Sequence, residues 1–177
     1  MFSQKGIGDL IEAFGLLAGS FPAWSLYLIG AGPEQEKFER QAALTGSPQR
    51  IHFMGFRRDP APFLSQADIF VLASRADPFP LVIPEAREAG CAIVGTDVDG
   101  IREGLEHGRA GLLVPPARPR ALADALAALM RDSAARGAWR ERARSNLGWL
   151  MIDRVAEETL LLYDDVLSGY RQAACVQ

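Results

Sequence analysis

The chain has 177 residues, 49% of them apolar and 23% charged, with a net charge of −3. That is enough for one domain with a core of its own, and the acidic balance excludes a chain whose main work is neutralising nucleic-acid phosphates. Cys91 and Cys175 form neither a ligand-spaced cluster nor a disulfide framework, His52 and His107 stand far apart, and no apolar run approaches the roughly 18 residues of a membrane helix. The N-terminus lacks the basic segment and apolar core of a signal peptide, so a cytoplasmic domain is expected.

The first pattern, Gly8 to Leu17, puts Leu10, Ile11, Phe14 and Leu17 on one helical face. The run from Ser25 to Gly30 ends in a glycine turn and reads as a strand buried on both faces. A charged helix follows from about Glu34 to Thr45, then a strand from Ile51 to Phe56, a short helix over Pro60 to Gln66 and a strand from Ile69 to Ser74. A helix carrying Glu85 comes next, with further strands at Cys91 to Thr96 and Gly111 to Pro116. Short strands alternating with helices imply parallel pairing and right-handed crossovers, hence an open, doubly wound parallel α/β sheet. From Arg118 onward only helices are predicted: one with Leu122, Leu126 and Leu129 on a face, one over Ala134 to Ser145, and one over Ile152 to Leu167. The expectation is a single domain over 1–177, with an α/β core over about 5–130 and C-terminal helices over about 131–170. A doubly wound domain ordinarily opens with a strand; Met1 to Gln4 is too short and polar to be one, so the first strand is expected to be missing.

The segment from Asp68 to Glu103 carries the chemistry. A buried strand ends at Ser74, a loop carries Asp77, and a helix starting near Leu81 or Val82 carries Glu85 in its first turns. The loop leaves the carboxyl edge of the sheet, where such sheets bind ligands. Free amides and the positive dipole end of the helix suit a diphosphate, Glu85 suits a ribose diol, and Asp77 is placed to face a sugar. Asp77–Pro78 is equally an ordinary loop-capping pair, and a glutamate in a first turn is favourable for dipole reasons alone.

These residues resemble the donor-site signature of glycosyltransferase family 4, the "group 1" set of retaining GT-B enzymes. The signature S-x-x-E-G-F-G-L-V-x-x-E-A is matched by "SRADPFPLVIPEA", and A-x-G-x-P-V-V-x-T-x-x-G-G-x-x-E by "EAGCAIVGTDVDGIRE". "KGIGDLIEAF", "LIGAGPEQEKFE", "IHFMGF" and "GRAGLLVPP" are similar to further family segments in the same order. The resemblance implies a Rossmann-like donor-binding domain, the C-terminal half of a GT-B hexosyltransferase using a nucleotide-diphosphate sugar and needing no metal or other cofactor. It implies that Lys5 pairs with the diphosphate and stabilises the leaving group, that Asp77 contacts the sugar, and that Glu85 holds the ribose. Phe79, Leu81 and Val82 belong to the diphosphate and sugar loop, Phe56 and Arg57 meet the base through their backbone, and Gly30 and Gly32 line the nucleotide. Lys5 and Asp77 are thus the catalytic candidates.

Asp77 replaces a glutamate, Pro78 and Pro80 replace glycines and remove two amide donors, and the arginine preceding the family's lysine is missing, as is the acceptor-binding domain. The chain alone is therefore expected to be inactive. The alternative is a non-catalytic module binding a nucleotide or a protein, and a GT-B epimerase is a weaker rival. The third glycine of a dinucleotide fingerprint is Gln35 in "GAGPEQ", which argues against a nicotinamide or flavin site. His52 reads as a satisfied core histidine, His107 as a turn residue and Cys91 as a small buried group. Arg131, Arg136, Arg140, Arg142 and Arg144 would suit weak peripheral contact with an anionic membrane at its inner face, but a solvated helical face is the favoured reading. "YDDV" (Tyr163 to Val166) superficially resembles a metal motif and reads as a solvated acidic face. Unpaired strand edges beside the missing strand lead us to expect low stability or self-association.

Overall fold

Gly6 fixes how the chain enters the fold. Its φ is 65°, and a Cβ there would stand 1.8 Å from the Ala73 carbonyl oxygen. Only glycine lets the backbone pass so close in that conformation. The helix it starts, α1 (Ile7–Leu17), buries Leu10, Ile11, Ala13, Phe14 and Leu17, the stripe that the periodicity predicts. In chain order there follow β1 (Leu26–Ile29), α2 (Gln35–Ala43), β2 (Ile51–Gly55), α3 (Ala61–Gln66), β3 (Ile69–Leu72), α4 (Val82–Ala89), β4 (Ala92–Thr96), α5 (Asp99–Gly104), β5 (Leu112–Val114), α6 (Pro119–Arg131), α7 (Ser133–Arg144) and α8 (Ile152–Ala174). Short 3-10 turns occupy Ser3–Lys5, Pro48–Arg50, Glu106–Gly108 and Gly148–Leu150. The computed structural model describes residues 1–174, so Cys175 lies outside the described residues.

Every strand pair is parallel: β1 with β2, β3 with β4, and β4 with β5. The expected sheet is realised as two, β1–β2 and β3–β4–β5, with no strand joining them among the described residues. Alternation along β4 explains the double winding. Ala92 and Val94 point into one core with Leu10, Phe14, Leu122 and Leu126 from α1 and α6. Ile93 points into a second core with Ile83 and Ala86 of α4 and Ile101 of α5. β3 and β5 divide in the same way, Ile69, Val71, Leu112 and Val114 to the first core and Phe70, Leu72 and Leu113 to the second. Each fully buried valine, leucine, isoleucine or phenylalanine among them stabilises the fold by about 1.5–3 kcal/mol.

β1 departs from expectation. Leu28 is buried, but Tyr27 and Ile29 are exposed. The second core covers only the β3–β5 sheet, so the outer face of β1 stays open. His52 is on that face, stacked on Tyr27 with ring centroids 4.7 Å apart. It is a half-buried stacking partner, not the core histidine expected. Cys91 is buried as read; it donates to the Leu64 carbonyl at 3.2 Å, and burial pushes its thiol pKa up, which leaves it unreactive. His107 is exposed in a turn, as read.

The chain divides into two compact units, Met1–Ser145 and the residues from Asn146 onward. α7, expected among the C-terminal helices, is part of the first unit. The anchor is Arg87, wholly buried on α4. Its guanidinium pairs with Glu106 at 2.6 Å and donates to the carbonyls of Gly104 at 2.8 Å, Ala143 at 2.9 Å and Ser145 at 2.7 Å. The arginines of α7 divide: Arg142 and Arg144 are exposed, as on the solvated face expected, and Arg136 and Arg140 are half-buried. Arg140 and Arg144 donate to the carbonyls of Gly90 and Ala89 at the carboxyl end of α4, where positive charge is favourable. Arg136 lies over Trp24 and Arg142 over Trp139, and Arg131, at the end of α6, lies over Phe21.

In the second unit, α8 runs to Ala174, beyond the predicted end at Leu167, and pairs Arg154 with Glu158 at 2.7 Å along its surface. Asp164 and Asp165 are exposed on it. Among the described residues no helix is long and apolar enough to cross a membrane.

Candidate functional site at the carboxyl edge of the strands

Parallel strands bring their carboxyl ends to one edge, and two short segments reach it from other parts of the chain. The Met1–Lys5 segment is tied down at Glu34, whose carboxylate accepts from the Ser3 amide, from Ser3 Oγ at 2.5 Å and from Lys37 Nζ at 3.0 Å. These bonds hold the Glu34 pKa down at about 2, hydrogen bonding from Ser3 being the largest cause. Gln4 O accepts the Arg75 amide at 2.8 Å. The Arg75 guanidinium grips both carboxylate oxygens of Asp9 at 3.0–3.1 Å. Lys5 is thereby carried to the loop after β3.

There Lys5 Nζ meets Asp77 Oδ2 at 2.7 Å, and Ser74 Oγ donates to the same oxygen at 3.2 Å. The Lys5 side chain is 50% exposed and that of Asp77 only 9%. The Asp77 carbonyl accepts the Gly100 amide at 3.1 Å, and a Cβ on Gly100 would stand 1.9 Å from the Pro78 carbonyl oxygen. The loop after β4 therefore lies directly against Asp77–Phe79. Thr96 Oγ1 closes the arrangement by donating to the Ser74 carbonyl at 2.5 Å.

Past the half-exposed Phe79 the chain enters α4. Ile83 donates to the Pro80 carbonyl at 3.0 Å, whereas among the described residues the Leu81 and Val82 amides donate to no backbone carbonyl. Two donors at the positive end of a helix are thus open to an anion. Pro84 falls in this first turn, where its missing N–H costs nothing. Glu85 is exposed beside them.

At the ends of β1 and β2 the Gly30 amide donates to Gly55 O at 2.8 Å, which brings Gly30 beside exposed Phe56 and Arg57. Arg57 lies over the Phe63 ring, 5.9 Å from its centroid. Gly32 faces the start of the chain: a Cβ on it would stand 1.4 Å from Met1 N. The residues singled out from sequence therefore fall into two groups. Lys5 and Asp77 touch, with Phe79, Leu81, Val82 and Glu85 next along the same segment; Gly30, Gly32, Phe56 and Arg57 cluster at β1–β2. A recess of about 180 Å³ near this edge is lined by Asp9, Ala73, Thr96 and Arg118 among others and includes neither group.

Sequence reasoning missed Ser74, Gly100 and Asp99. Asp99 has a φ of 30° and stands at the first of the paired glycines in the resembled motif, a substitution that was readable. Asp97 nearby is held below the usual carboxylate range by a 2.5 Å bond from Arg102.

Residues 1–132 match the family model described as "Glycosyl transferases group 1". The chain is 31% identical over 144 residues to the lipopolysaccharide core biosynthesis glycosyltransferase LpsE of Rhizobium meliloti, a match covering 81% of this chain and 41% of that one. It is 34% identical over 136 residues to the phosphatidyl-myo-inositol mannosyltransferase of Mycobacterium leprae, covering 75% and 36%. Among solved structures, Anabaena Alr3699/HepE in complex with UDP-glucose superposes with a TM-score of 0.80 at 25% identity, over 90% of this chain and 46% of that one. The C-terminal domain of the group 1 protein LpcC from Francisella tularensis gives 0.74 at 28% identity, over 81% and 78%. The chain spans less than half the length of the curated relatives it matches.

Proposed function

The chain belongs to the group 1 glycosyl transferases, and from that membership we propose that it is the donor-binding part of a retaining glycosyltransferase that takes its sugar from a nucleotide-diphosphate sugar. The observation that carries the proposal is the half-exposed Lys5 ammonium, held by Asp77 on the loop that leads into α4 and the open amides of Leu81 and Val82. A cation and two fixed N–H dipoles are what a departing diphosphate needs, because they offset charge that grows as the sugar–phosphate bond breaks. Glu85 accepts from the ribose hydroxyls, and the backbone after β2 at Phe56 and Arg57 meets the base. The acceptor, a glycan, lipid or small molecule, is held by groups outside this chain, which supplies positioning and leaving-group stabilisation. UDP and UDP-glucose in the related Anabaena structures support a uridine nucleotide as the first ligand to try.

Calorimetric titration of the purified chain with UDP, GDP and ADP tests this. One nucleotide binds, and Glu85→Ala weakens it tenfold or more, about 1.4 kcal/mol. A folded chain that binds none of the three sinks the proposal. A second reading, a non-catalytic nucleotide-binding module, is favoured by Pro78 and Pro80, which offer no amide where the resembled motif has glycines. Nucleotide binding without a preference for the sugar-bearing form would select it.

A further inference from the structure

Asp77 stands where the resembled motif has a glutamate, yet its carboxylate is turned inward. Its side chain is 9% exposed, Oδ2 is shared between Lys5 Nζ at 2.7 Å and Ser74 Oγ at 3.2 Å, and its carbonyl is taken by the Gly100 amide at 3.1 Å. A carboxylate one methylene shorter than glutamate, anchored at both ends, has little reach left for a hydroxyl beyond Lys5. Lys5 is in the opposite condition. Its side chain is 50% exposed and Asp77 is its ion-pair partner, while an ammonium has three donors. One is spent on Asp77, and the others remain for phosphate oxygens.

We propose that Asp77 is a positioning residue that acts on the diphosphate through Lys5 and makes no essential contact with the sugar. This rests on the donor-site reading above. A free lysine side chain loses rotamer entropy when immobilised, and the buried carboxylate does that ordering before the ligand arrives. Ser74 holds the carboxylate in its turn, and Gly100 holds the loop, so the ammonium is fixed by a chain of contacts that reaches back to the ends of β3 and β4.

The two roles predict different ligand dependence. If Asp77 acts through Lys5, Asp77→Asn weakens UDP, which has no sugar, about fivefold, and weakens UDP-glucose by the same factor. Lys5→Met abolishes the sensitivity: in that background Asp77→Asn changes UDP affinity less than twofold. Asp77→Glu, which keeps the charge, restores UDP affinity to within about threefold. An Asp77→Asn chain that binds UDP normally and loses only UDP-glucose overturns the proposal, as does an equal loss with and without Lys5. Should Asp77→Asn fail to fold, the unaltered chain crystallised with UDP-glucose decides. Lys5 Nζ stays bonded to Asp77 and reaches the diphosphate, or Asp77 has left Lys5 for a sugar hydroxyl and the proposal fails. If the folded wild-type chain binds no UDP, GDP or ADP, the donor-site reading fails and this inference with it; if UDP binds and Asp77→Asn is silent, only this inference fails.

Discussion

Two ion pairs in this molecule have opposite designs. Arg87–Glu106 is closed: the guanidinium is wholly buried, and Glu106 and three backbone carbonyls take up its donors. Lys5–Asp77 is half open, a buried acceptor holding an exposed donor with capacity to spare. A planar, always-charged group with a fixed fork suits the first role, and a point charge on a flexible stem suits the second. The contrast separates residues that hold the fold from residues that await a ligand, although both are charged pairs of similar length.

Breaking the closed pair should have the largest effect. Arg87→Ala takes the donor from three carbonyls and the closest partner from Glu106, which keeps Arg109 at 3.6 Å, and a loss of about 3–5 kcal/mol is expected, read as a drop in urea midpoint at unchanged slope. Wild-type-like unfolding would mean that the knot contributes little. Gly6→Ala attacks the delivery of Lys5 instead. A Cβ 1.8 Å from a carbonyl oxygen at a φ of 65° forces the backbone to move, and we expect about 1–3 kcal/mol of destabilisation together with weakened UDP binding. Lys5→Met should act chiefly on binding: it costs less stability than Arg87→Ala because Ser74 still donates to Asp77, while UDP affinity falls about tenfold. Comparable losses in both assays would erase the distinction between the pairs.

The smallest effect is electrostatic and local. The Glu34 pKa is lowered to about 2 by its bonds from Ser3 and Lys37, so its contribution is fully present above the ordinary carboxylate value near 4.5. It declines as pH falls and is gone near 2. An acid titration followed at the Ser3 amide by NMR should show that contact loosening only as pH approaches 2, and Glu34→Gln should remove the pH dependence. A separate check concerns the strand edges. β1 pairs only with β2, and β3 only with β4 among the described residues. Sedimentation of the purified chain should show self-association that rises with concentration, and a monodisperse monomer melting above about 60 °C would contradict it.

Much of the architecture was readable because it is written in periodicity. The stripe of α1, the leucines of α6 and the alternation of β3 to β5 each follow from burial demands local to the element. The outer face of β1 was misread because burial on a second face depends on helices elsewhere in the chain, and among the described residues none covers Tyr27 and Ile29. α5 escaped notice because Asp99–Gly104 is one short turn with glycines at Gly100 and Gly104. Arg87 was invisible for another reason: an arginine in an amphipathic helix ordinarily reads as solvated, and only the meeting of α4 with Glu106 and the end of α7 makes it a core residue. At the candidate site, motif resemblance singled out Lys5, Asp77 and Glu85, but the inward turn of Asp77 was not legible, since it depends on contacts with Ser74 and with Gly100 from the loop after β4.

The Arg87 knot also decides where this chain tolerates being cut. The family match stops at residue 132, yet two of the carbonyls that Arg87 needs belong to Ala143 and Ser145. A version ending at 132 would strand a buried cation, and one ending at 145 would keep every partner. The boundary of the family match and the boundary drawn by mechanics differ by one helix, and anyone trimming or grafting this domain should respect the second.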